Sequence, residues 1–93
     1  MAGPPSFLAE VDMYYVYVIK SQKNGKRYIG FTSKDPKQRL VEHNNGSNLF
    51  TRNNRPFELI YSEQYEDKDF AVKRERYLKS GHGRLYLKKI IFP

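Results

Sequence analysis

At 93 residues the chain has room for one domain with a limited core. It has no cysteine, which excludes disulfides and thiolate metal sites, and no apolar run near the ~20 residues of a membrane span. Its formal net charge of +7 suits a polyanionic partner, most simply nucleic acid; the plainer alternative is a basic surface with no specific partner.

Residues 1–12 (MAGPPSFLAEVD) carry two prolines and no periodicity, and read as a flexible tail or an added extension ahead of a domain spanning 13–93. No basic stretch followed by a long apolar one opens the chain, so a secretory signal is not expected. A reducing cytoplasm fits the lack of cysteine, and cytoplasmic residence is the expectation. Tyr14 to Lys20 (YYVYVIK) is dense in β-branched and aromatic residues, which predicts a strand. Tyr15, Tyr17 and Ile19 share one face; Tyr14, Val16 and Val18 share the other. Both faces are largely apolar, so the strand is expected in the middle of a sheet. Asn24-Gly25 marks a turn, and RYIGF (27–31) returns as the second strand of an antiparallel hairpin. Gly30 inside that strand is costly unless something approaches the backbone there.

Asp35 suits an N-cap and Pro36 the first position of a helix that Asn44-Asn45-Gly46 ends. Arg39 and His43, four apart, project from one face of it. A polar, Asn-rich loop (SNLFTRNNRP) leads to a third strand from Phe57 to Gln64, with Phe57, Leu59 and Tyr61 alternating against Glu58 and Ile60. The stretch EDKDFAVKRERYLKSGHG predicts a second long helix, with acidic residues in its first turn, Lys79 near its end and Gly81 at C′. Its apolar stripe is Phe70, Ala71, Tyr77 and Leu78. Glu75 lies at the edge of that stripe and needs a partner there. RLYLKKIIF closes the chain as a short helix or strand. The order predicts an α+β domain, a three-stranded sheet flanked by helices.

Five residues carry chemistry as a set: Tyr17, Tyr28, Arg39, His43 and Glu75. A single carboxylate can hold Mg²⁺, which keeps waters and takes phosphate oxygens, and such an ion polarises a phosphodiester. An arginine grips phosphate by a charged fork, and a tyrosine or histidine can orient and deprotonate water. Each has a plainer role: hairpin packing for the tyrosines, a solvated helix face for Arg39 and His43, and an intrahelical salt bridge for Glu75. Arg52, Arg55, Lys73 and Arg76 could extend a DNA surface, though solvated charge explains each as well.

VYV (16–18), YIG (28–30), RLVEH (39–43) and KRERYLK (73–79), taken together, resemble the GIY-YIG nucleases, in particular the small single-domain bacterial members. The similarity runs from Met13 to about Arg84. It implies a three-stranded antiparallel sheet flanked by helices and metal-dependent cleavage of DNA phosphodiesters, with Mg²⁺ or Mn²⁺, as in members that serve DNA repair or recombination. By position, Tyr17 matches the first-motif tyrosine, and Tyr28 the second, expected to contact the nucleophilic water. Gly30 matches the motif glycine, expected to clear room for the substrate backbone. Arg39 matches the phosphate-binding arginine, His43 a histidine frequent in the family, and Glu75 the metal-binding glutamate. The first motif departs from Gly-Ile-Tyr, which makes Tyr15 a rival for its role, and Phe31 stands where some members have lysine. A catalytically silent DNA-binding or partner module on the same fold is the alternative. So small a core leaves a protein partner or homodimer supplying specificity, or a loosely specific activity, as the open readings.

Overall fold

The computed structural model describes residues 13–91; the expectation for residues 1–12 lies outside them. Three strands, β1 (Tyr14–Ser21), β2 (Arg27–Thr32) and β3 (Phe57–Tyr65), form one antiparallel sheet in the order β2-β1-β3. Four helices accompany them among the described residues: α1 (Pro36–Asn44), α2 (Leu49–Arg52), α3 (Lys68–Lys79) and α4 (Gly81–Ile91). The expected α+β architecture is what the chain adopts, with β1 central and Val16, Tyr17, Val18 and Ile19 all buried.

Alternation along β1 divides the core in two. Val16 and Val18 pack with Ala71, Leu78 and Leu87 of α3 and α4, whereas Tyr17 and Ile19 pack with Phe57, Leu40 and Tyr28. The hairpin turns where Asn24-Gly25 asks for it: Gly25 has a φ of 77°, and the Asn24 side chain accepts from the Lys26 N–H. Asp35 caps α1 by accepting from the Lys37 N–H at 2.8 Å, and Gly46, at φ 83°, closes the turn after it. Asn44 then ties the end of α1 to the start of β3 by a reciprocal pair of hydrogen bonds to the Phe57 backbone. That clamp holds α1 over the Tyr17 face of the sheet.

Three expectations give way to tertiary packing. Strict alternation along β3 fails because a bulge interrupts its pairing between Val18 and Ile19, so Leu59 joins the Tyr17 side while Ile60 and Tyr61 join the other. Gly81 is not a left-handed C′ residue; it opens α4, after Ser80 has capped α3. The glycine the α3–α4 corner requires is Gly83, where a Cβ would run into the Tyr77 carbonyl and Leu78 backbone. Finally, Phe70 and Tyr77 are largely exposed, and the buried stripe of α3 narrows to Ala71 and Leu78. Beside it, Glu63 takes a two-pronged ion pair from Arg74 (2.8 and 2.9 Å) and the hydroxyls of Tyr61 and Tyr65. This network fastens α3 to β3.

Candidate active site

Tyr17 stands opposite Gly30 in the β1–β2 ladder; Tyr15, its rival, stands opposite Thr32. The Tyr17 side chain leans across that pair, and a Cβ on Gly30 would overlap its ring, 2.8 Å from one edge carbon and nearer still to the phenol carbon and oxygen. Gly30 is itself buried. The close approach that its position demands is therefore made by Tyr17.

From there Tyr17 reaches α1. Its hydroxyl lies 2.8 Å from His43 Nε2, and His43 Nδ1 lies 2.8 Å from the Thr51 hydroxyl on α2. Thr51 in turn donates to the Asn48 carbonyl at 3.4 Å. The tautomer with Nδ1–H donating to Thr51 keeps the Thr51 bond to the Asn48 carbonyl and leaves the Nε2 lone pair to accept the Tyr17 proton. His43 and Thr51 are both buried, so the sequence-based picture of a solvated His43 is replaced by a fully enclosed, doubly bonded imidazole. Burial, and after it the Arg39 charge, pulls its pKa down to about 4, so the ring is neutral at pH 7. Burial likewise lifts the Tyr17 hydroxyl well above the tyrosine range; Tyr28 and Glu75 add to the rise and Arg39 opposes it.

The Tyr17 hydroxyl thus feels the charges of Tyr28, Arg39 and Glu75 and bonds directly to His43. The Tyr28 ring lies 6.4 Å from that of Tyr17 and 5.1 Å from that of His43, and its hydroxyl is 3.4 Å from the Asn48 amide. Arg39 Nη1 is held by Glu42 at 2.8 Å, and Glu42 also pairs with Lys34, which keeps its carboxyl below the usual range. Glu75 makes the intrahelical ion pair to Lys79 that its spacing allowed, at 3.1 Å, with its side chain one-fifth exposed. Phe31 points to the opposite face, stacked on Tyr14.

Among the described residues no three His, Cys, Asp or Glu cluster as metal ligands. One accessible carboxylate suits a hard ion that keeps most of its water and takes phosphate oxygens, as Mg²⁺ does, and not a zinc-type cage. Arg52, Arg55, Lys73 and Arg76 are all exposed, and Arg52 donates to the Gly46 carbonyl. Sequence reasoning missed Thr51 and Asn48, placed in an Asn-rich loop. The available signal was Asn48 ahead of Leu49-Phe50: it caps α2 by accepting from the Phe50 N–H at 2.7 Å.

The model of the GIY-YIG catalytic domain matches residues 13–89. A UPF0213 protein from Staphylococcus saprophyticus is 37% identical over 81 residues, which cover 86% of this chain and 96% of that protein. One from Staphylococcus epidermidis is 38% identical over the same shares. The solution NMR structure of the UPF0213 protein BH0048 from Bacillus halodurans superposes with a TM-score of 0.52 at 27% identity, covering 87% of this chain and 88% of that one.

Proposed function

This chain belongs to the GIY-YIG catalytic domain family, and on that premise we propose that it is a metal-dependent DNA endonuclease acting in repair or recombination in the cytoplasm. The observation that carries the reading is the Tyr28 ring packed beside the buried Tyr17–His43 pair, with the charges of Arg39 and Glu75 acting on the Tyr17 hydroxyl.

Glu75 would hold the ion, displacing Lys79 from its carboxylate, and Mg²⁺ or Mn²⁺ there supplies charge that polarises the phosphate. Arg39 would bind the phosphate, with the substrate anion competing against Glu42 for the guanidinium. Tyr17 is enclosed and keeps its proton, which it donates to His43; it orients the site and is a poor base. Tyr28 is only half-buried, and its hydroxyl would receive or relay the proton of an attacking water. Specificity for a DNA sequence or structure would come from a protein partner or a second copy.

Nicking of supercoiled plasmid with Mg²⁺ or Mn²⁺ tests this. Wild type should nick, while Glu75→Gln and Tyr28→Phe should bind DNA but leave it intact. A wild type that shifts DNA in a gel yet never cuts would make the chain a silent binding module.

A further inference from the structure

Alongside the site lies an open cleft of about 870 Å³, whose lining includes Lys26, Tyr28, Phe50, Lys79, Arg84 and Lys88. It is continuous with the site at two points, because Tyr28 belongs to both and Lys79 is the ion-pair partner of Glu75. The buried Leu87 forms part of its wall, and Arg84 and Lys88, four apart on α4, are exposed on one face of that helix. Across from them α2 divides its residues: Thr51 turns inward to His43, while Phe50 is 84% exposed.

An exposed phenyl ring set among cations beside two candidate catalytic groups has a clear use. Lysine and arginine hold phosphates of any strand, but an aromatic face gains only from a base face it can stack on. In a duplex both faces of each base are covered by neighbouring pairs. The volume, inside the roughly 300–1,000 Å³ of ligand-sized clefts, suits a nucleotide or two and not a duplex. Self-association through Phe50 would bring the like charges of two copies together around it, each chain carrying +7.

We infer that the cleft binds single-stranded DNA, with an unpaired base stacked on Phe50 and its phosphates on Lys26, Arg84 and Lys88, feeding the adjoining phosphodiester to Tyr28 and Glu75. The choice of DNA rests on the nuclease reading; the preference for an unpaired strand rests on Phe50.

Fluorescence anisotropy of the full chain in EDTA, with an oligothymidylate and a duplex of equal length, reads binding without cleavage. The single strand should bind more tightly. Phe50→Ala should weaken single-strand binding by about five- to 150-fold and leave the duplex unchanged, and Phe50→Trp should restore it. Arg84→Ala should weaken both and flatten the single-strand salt dependence by about 0.7, since one phosphate fewer is neutralised. Tighter duplex binding, a Phe50→Ala effect equal on both DNAs or absent from both, or a dimer that dissociates in Phe50→Ala would overturn the inference. Plasmid nicking scored separately keeps the two readings apart: a chain that cuts but ignores Phe50 refutes only this one, and a chain that binds through Phe50 but never cuts refutes only the nuclease.

Discussion

Replacing Gly30 with alanine separates two accounts of the motif glycine by sign. Gly30 has no positive φ, so its backbone tolerates a side chain. Alanine inside a strand is favoured over glycine by roughly 0.5–1 kcal/mol. If the space beside Gly30 served only an incoming substrate, Gly30→Ala would therefore be neutral or slightly stabilising and would weaken DNA binding alone. The structure puts the Tyr17 ring in that space instead. The added methyl would lie 2.8 Å from one ring carbon and closer to two other atoms, against an optimum of about 3.5–4.0 Å. Tyr17 is 1% exposed and its hydroxyl is held by His43, so the ring cannot swing aside without losing that bond. Overpacking of this kind costs about 1–3 kcal/mol, and each kcal/mol lowers the Tm of a domain this size by about 4–8 °C. Thermal unfolding followed by circular dichroism reads it. In a Tyr17→Leu background, which removes the ring, the same substitution should cost less by about 0.5–3 kcal/mol. A Gly30→Ala protein with unchanged or raised Tm would refute the packing account.

Thr51→Val keeps the shape of the side chain and removes the acceptor for His43 Nδ1–H, which should destabilise the fold by about 1–3 kcal/mol and slow nicking, while Thr51→Ser should not. Imidazole ¹⁵N shifts that show the same His43 tautomer in the valine variant would contradict the role given to Thr51. Acid should weaken the fold through His43. Its pKa is about 4 when folded and about 6.5 when unfolded, so between those values only the unfolded chain takes the proton. Its contribution is complete above about pH 6.5 and is lost as pH falls towards 4. A His43→Gln variant should show a flatter Tm profile across that window, and a profile as steep as wild type would count against the buried imidazole.

The residues that act through near neighbours in the chain were legible beforehand. Asp35-Pro36 starts α1, Asn24-Gly25 turns the hairpin, and the doubly apolar Tyr14–Lys20 stretch sits in the sheet centre, because caps, turns and periodicity are local properties. An intrahelical salt bridge for Glu75 was likewise readable from helical spacing, and Lys79 is the partner that makes it. The candidate site was legible as a set of residue types, and the resemblance supplied an expected role for each. Which of those side chains is enclosed was not. His43 could as well have been a solvated helix residue; it is buried because α1 is clamped to β3 by Asn44 and because Thr51, eight residues on, returns to meet it. The bulge opposite Val18 and Ile19 moved Tyr61 to the face of Ile60, against the alternation of its own strand. Gly30 reads in the sequence as room for some close approach, but only its cross-strand partner says what approaches. The sequence by itself determined the three strands, the helices α1 and α3, and the chemical vocabulary of this protein. The tertiary structure decided which groups keep their protons, which lose their water and which ring faces outward, because desolvation and cross-element contact depend on neighbours that the chain brings from far along its length.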